Sequence, residues 1–174
     1  ANEYSSICNE LGINVWEAIR LANKHPRVNI LSPGPGVGGH CIAIDSWFLA
    51  EHVESAQLIK LAREINDSRP KQVAQYLSTE LKNLGGKKVG ILGVAYKKNV
   101  DDCRETPSKD LADALVEDKN EVKYFDPHVT QWNSMPSTSS IEELDNWADL
   151  LVLSTDHDEF KNLSIQSPLI DTRA

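Results

Sequence analysis

With 174 residues, 40% of them hydrophobic, the chain can bury the core of one domain, or of one domain with a substantial appendage. Its 26 acidic against 18 basic residues give a net charge of -8, which argues against a nucleic-acid backbone or an anionic membrane surface as partner. Three cysteines in no repeating spacing suit a reducing, cytoplasmic setting rather than a disulfide framework, and no apolar run approaches the roughly 18 residues of a membrane span.

The chain opens without an initiator methionine and already at helical spacing, which reads as a start inside a helix of something longer. Tyr4, Ile7, Cys8 and Leu11 share one helical face, and Gly12 supplies a stop. Asn14 can cap a second helix carrying Val15, Ile19 and Ala22, which His25-Pro26 ends. Residues 32–39 are too rich in glycine and proline for helix or strand. From Asp45 the helical period returns and runs, with a break at Pro70, to about Leu84. After Gly85-Gly86 the pattern changes: Val89–Leu92 reads as a buried strand, Leu111–Leu115 as helix, Val122–Phe125 and Leu150–Leu153 as strands, and Pro168–Asp171 as a last short strand. Strands alternating with helices imply parallel pairing. The expected fold is α/β: an all-helical segment over residues 1–84, then a Rossmann-like parallel sheet over residues 85–174.

The glycine-rich loop ends in Gly38-Gly39-His40-Cys41, with Asp45 four residues on. Glycines let backbone N–H groups approach a ligand because no Cβ intervenes, and a thiol at the end of such a loop can be presented to it. Asp45, one helical turn beyond Cys41, can face the same pocket and orient a water or a hydroxyl. A plain turn with a small packed cysteine is the competing reading of these residues. Cys8 reads as a packing residue, His128 as a loop residue and the four tryptophans as packing. The histidines and cysteines show no zinc-ligand spacing, so no metal is expected.

Three long stretches occur in one order: Pro33-Gly34-Pro35-Gly36-Val37-Gly38-Gly39-His40-Cys41-Ile42-Ala43-Ile44-Asp45, the preceding His25-Pro26-Arg27-Val28-Asn29-Ile30-Leu31, and the later run from Gly93 to Ser108. Together they resemble the UDP-glucose/UDP-N-acetylmannosamine 6-dehydrogenase family. The wording His40-Cys41-Ile42-Ala43, followed by Trp47-Phe48, looks most like the UDP-N-acetylmannosamine branch; Ile44 stands where the UDP-glucose branch has a lysine. The resemblance implies oxidation of a C6 alcohol to an acid by two hydride transfers to NAD, with Cys41 as the nucleophile that forms a thiohemiacetal and then a thioester. It implies Asp45 as the group that positions or deprotonates the hydrolytic water. It also implies substrate contacts from His25, Arg27, Gly38, Tyr96, Lys97 and Arg173, a cofactor contact from Arg104, and a homodimer through the helical segment, with Arg27 crossing to the partner.

No complete G-x-G-x-x-G follows a strand: Gly93-Val94-Ala95-Tyr96 comes after Val89–Leu92 and lacks the glycine that opens a pyrophosphate turn. The resemblance therefore places NAD mainly on a domain ahead of residue 1, and this chain by itself is expected to be inactive. The alternatives are a UDP-sugar-binding module without catalysis, a dehydrogenase of UDP-glucose or UDP-N-acetylglucosamine, and a remnant serving dimerisation alone.

Overall fold

The computed structural model describes residues 1–173. Four helices come first: α1 (Asn2–Glu10), α2 (Val15–Ala22), α3 (His40–Glu51) and α4 (Gln57–Leu84). The rest alternates as β1 (Lys88–Leu92), α5 (Pro107–Glu117), β2 (Glu121–Phe125), α6 (Ile141–Trp147), β3 (Leu150–Leu153), a 3-10 turn at Asp158–Phe160, and β4 (Leu169–Asp171). Helical segment and α/β layer thus follow each other as the residue pattern indicates.

Local chemistry accounts for most boundaries. Asn14 accepts hydrogen bonds from the amides of Trp16 and Glu17 at 2.9 and 3.1 Å, satisfying two free donors at the start of α2. Thr106 caps α5 with Pro107 in its first turn. Gly85, in the left-handed conformation, closes α4.

Two expectations are corrected. Helix α3 begins at His40, not near Asp45, because Gly39 (φ +89) turns the chain straight into it without a side-chain cap. The interruption in the helical run falls at residues 52–56, and α4 then passes through Pro70 unbroken. Proline removes one backbone hydrogen bond from that helix. Packing outweighs the loss: Pro70 is buried, and Val73, Ala74, Leu77 and Leu81 beyond it enter the main core. Ile19 of α2 is 6% exposed and packs inward.

The four strands are all parallel, in the order β2-β1-β3-β4. Val89, Ile91, Leu150 and Val152 face the layer formed by α5 and the second half of α4. Leu92, Leu151 and Leu153 face the opposite layer, with Leu144 of α6 and Phe160. The chain leaves β1 towards β2 on one side and returns to β3 on the other. The crevice outside the C-terminal ends of β1 and β3 is therefore the topological switch point, where open α/β sheets take their ligands.

Candidate functional site

The glycine-rich loop is splinted to the helices by side chains that attracted no notice as sequence. Asn66 of α4 grips Val37 twice, accepting from its N–H at 2.8 Å and donating to its carbonyl at 3.2 Å. Asn2 accepts from the Gly34 amide at 2.8 Å, and Arg69 donates to the Gly34 carbonyl at 3.4 Å. All three contacts lie about 30 residues apart in the chain, and no spacing rule reveals them.

On its other side the loop docks on the switch-point crevice. Gly38 packs against the Glu105 carbonyl so closely that no side chain fits, and Gly36 lies over Pro107. The loop then delivers Cys41 into the first turn of α3, where the thiol is exposed. Cys8 is buried, and burial, helped by the charges of Asp126, Asp102 and Asp101, pushes the Cys103 thiol up to about 12. Cys41 is thus the thiol available to an incoming electrophile. Asp45 is exposed one turn along α3. Arg104 lies within electrostatic reach of both Tyr96 and Cys41. Asp102 grips it in a fork, with Nη2 to Oδ2 at 2.6 Å and Nε to each oxygen at 3.0 Å, which raises the guanidinium pKa.

The loop after β1 carries Tyr96 and the exposed Lys97. At the far end of the glycine loop, Arg173 follows β4 and rests against Gly34, its Nε donating to the Ser154 carbonyl at 2.7 Å. Burial pulls its pKa below the usual arginine value.

Residues 1–68 match the central domain of the UDP-glucose/GDP-mannose dehydrogenase family, and residues 90–174 match that family's UDP binding domain. A UDP-N-acetyl-D-mannosamine dehydrogenase of Methanococcus maripaludis (strain C7) is 50% identical over 165 residues, which are 94% of this chain and 38% of that protein. The chain belongs to the UDP-glucose/GDP-mannose dehydrogenase family. A Salmonella typhi UDP-N-acetyl-D-mannosamine dehydrogenase is 45% identical, with 92% of this chain and 42% of the relative covered. The solved structure of a UDP-D-ManNAc dehydrogenase from Pyrococcus horikoshii superposes with a TM-score of 0.88 at 36% identity, covering 99% of this chain and 43% of that one. The chain therefore spans about two fifths of the length of these relatives.

In this member of the UDP-glucose/GDP-mannose dehydrogenase family, Gly38, Cys41, Tyr96 and Arg104 come together at the switch point, with Asp45 on the same helix as Cys41 and Lys97 on the same loop as Tyr96. His25 and Arg27 stand apart from them. Both are exposed on the turn after α2, where the Arg27 amide donates to His25 Nδ1 at 3.2 Å and Asn23 closes the turn through Ile30. A groove of about 720 Å³ lies elsewhere, between α1, α2, α4 and β4; it reaches Pro33 and Gly34 but not Cys41.

A second cluster, unseen in the sequence, sits beneath the Tyr96 loop. The buried Asp126 carboxylate, just past β2, accepts five hydrogen bonds. Oδ2 takes the amides of Val94 (2.7 Å) and Ala95 (3.1 Å) and His157 Nε2 (3.0 Å), and Oδ1 takes the amides of His128 (2.9 Å) and Val129 (3.1 Å). Burial pushes its pKa up, but the bonds from His157, Val94 and His128 outweigh burial and hold it below the usual carboxylate value. His157 Nδ1 accepts the Asn99 amide at 2.9 Å, which fixes the proton on Nε2.

This cluster decides two further points. A dinucleotide fold offers the amides after its first strand to a pyrophosphate. Here Val94 and Ala95 already give theirs to an internal carboxylate, so the residues at this strand end do not fit NAD. His128, His157 and Glu159 also converge, with one ligand atom from each lying within 4.8 Å of the others. Both nitrogens of His157 are engaged as described, so a cation there would have to displace an existing bond.

Proposed function

We propose that this chain supplies the catalytic thiol and the nucleotide-binding half of an NAD-dependent UDP-sugar 6-dehydrogenase acting on UDP-N-acetyl-D-mannosamine in the cytoplasm. The observation that carries the reading is Cys41: an exposed thiol at the start of a helix, held by a docked glycine loop beside Tyr96 and Arg104 at the sheet's switch point. The sugar is taken from relatives 45–50% identical, which are UDP-N-acetyl-D-mannosamine dehydrogenases.

The chemistry explains why a thiol is needed. A C6 alcohol can lose a hydride and a proton to give an aldehyde. An aldehyde cannot lose a second hydride until a nucleophile adds to it. The Cys41 sulfur forms a bond to C6, and the former carbonyl oxygen takes up a proton, giving a thiohemiacetal. Loss of that hydroxyl proton and of the C6 hydride leaves a thioester. Water then adds, the C–S bond breaks, and the acid departs as Cys41 regains its proton. Asp45, a turn along the helix from Cys41, is the group to position or deprotonate the water. The covalent link also retains the aldehyde between the two oxidations.

Lys97 and Arg173 are assigned to the UDP end of the substrate, Lys97 through charge-assisted bonds to phosphate, with Tyr96 and the Gly38 backbone along its length. Arg104 is assigned to the cofactor, which would be held mainly by residues outside this chain; the 174 residues by themselves are expected not to turn over. Residues 1–84 act as the dimerisation and thiol-bearing part, and residues 85–174 as the UDP-binding part. Exposed Phe48, Leu49, Leu58 and Leu61 favour a homodimer through the helical part, in which His25 and Arg27 would meet the partner's substrate.

The test is Cys41→Ala in the enzyme that includes the cofactor-binding part. UDP-sugar affinity is expected to stay within about twofold while acid formation falls by several orders of magnitude, roughly as loss of a covalent nucleophile does. Acid production near the parent rate would sink the thioester route.

A further inference from the structure

The segment from Val94 to Asn99 carries Lys97 exposed in its middle and is fixed at both ends. At one end the Val94 and Ala95 amides bind Asp126, and Thr155 Oγ1 donates to the Ala95 carbonyl at 2.6 Å. At the other end Asn99, held at φ +59, gives its amide to His157 Nδ1. The Asn99 side chain is locked in turn to Asp158, donating to Oδ2 at 2.6 Å and accepting from its amide at 3.0 Å. His157 is 1% exposed and ties the two ends together, because its other nitrogen donates to the same Asp126 oxygen that holds Val94 and Ala95. A neutral imidazole is the side chain that accepts at one edge and donates at the other across this spacing.

We propose that His157 is a positioning residue of the nucleotide-sugar site: by closing the loop on Asp126, it sets the shape in which Lys97 meets the diphosphate. This rests on the UDP-binding reading above. It makes the Asn99-to-Nδ1 bond, at the Asn99 end of the loop and nearer the surface, the one that governs ligand affinity. The bond to Asp126 lies in the core and governs stability as well.

Two conservative variants separate the bonds. Asparagine places an amide oxygen near the Nδ1 position, and glutamine places an amide nitrogen near Nε2. His157→Asn keeps the acceptor for Asn99, and His157→Gln keeps the donor to Asp126. With the 174-residue chain and UDP as probe in titration calorimetry, His157→Asn is expected to bind within about threefold of the parent and His157→Gln about tenfold more weakly. Their thermal midpoints should fall in the opposite order, because His157→Asn loses the core bond to Asp126, a split that a purely structural role does not produce. Exchange of the Asn99 amide should rise in His157→Gln and not in His157→Asn. If the core variants do not fold, Asp158→Ala loosens the same anchor from the surface and should weaken UDP about threefold. Equal UDP affinity in the parent, His157→Gln and Asp158→Ala overturns the inference while leaving the UDP site standing. A parent chain that does not bind UDP overturns the UDP-binding reading itself, and the inference with it.

Discussion

Gly39 meets the ring of Tyr96 with nothing between: a Cβ added there would stand 2.8 Å from Cε2 and 2.9 Å from Cδ2. The contact joins the loop that presents Cys41 to the loop that carries Lys97. Gly39→Ala adds a clash to a left-handed backbone (φ +89) and is expected to cost about 2–3 kcal/mol, measured by urea unfolding. The ring must then move or the loop must lift, so amide exchange should rise on both loops and not in α5. An unchanged midpoint would show that the two loops are not packed as described.

UDP and NAD should be told apart by the chain itself. UDP binding is expected in the high micromolar to millimolar range, roughly -4 to -6 kcal/mol, since part of the substrate cleft lies outside these residues. Lys97→Ala and added salt should both weaken it, as screening of a phosphate contact requires. NAD should bind worse, because Asp126 holds the Val94 and Ala95 amides. Measurable NAD affinity without UDP affinity in calorimetry would reverse the assignment of this domain.

Asp126 predicts a pH dependence. A carboxylate held below its unfolded value, about 4, makes stability rise with pH wherever the unfolded chain binds a proton that the folded one refuses. That contribution is complete above roughly pH 5 and is lost as pH falls through the folded pKa. Asp126→Asn should cost about 3 kcal/mol at neutral pH, because the amide sets N–H against the N–H of its neighbours. The gap between parent and variant should then narrow as the solution is acidified below about pH 4. Asp145, Asp149 and Asp158, also held low, titrate in both proteins and drop out of the difference. Urea unfolding at a series of pH values reads it; a constant gap would mean that Asp126 is not held low.

Association is the fourth expectation. Leu58 is 82% exposed, Phe48 68% and Leu49 63%, an unusual amount of large apolar surface on two neighbouring helices. Sedimentation at tens of micromolar (on the order of usual assay conditions) should show a dimer, and Leu58→Glu combined with Phe48→Glu should return a monomer with its thermal midpoint little changed. A strict monomer in the parent would count against the shared-site role of Arg27.

Features written in neighbouring residues were legible. Asn14 caps the helix that its position announces, and the apolar runs at Val89–Leu92 and Leu150–Leu153 form the central strands. The glycine-rich stretch ending in Cys41 could be recognised because it is continuous. Relationships across the chain were hidden. Asp126 and His157 are 31 residues apart, and each is ordinary where it stands. The start of α3 escaped notice because Gly39 admits a helix by its own dihedral angle, without the Ser, Thr or Asp that signals one. Pro70 signals a break in an isolated helix, whereas both halves of α4 are clamped by packing.

That clamping has a mechanical side. Helix α4 is 28 residues long, about 42 Å, and a single rigid rod of it reaches both partners of the proposed reaction. Near its middle, Asn66 and Arg69 hold the Cys41 loop; two turns on, Leu77 and Leu81 are embedded under the sheet whose C-terminal end bears Lys97. The proposed nucleophile and the proposed phosphate anchor therefore ride on the same beam and cannot swing apart without unpacking it. In the proposed reaction, closure over a bound sugar would come from whatever faces this assembly, which makes these 174 residues the anvil and not the hammer.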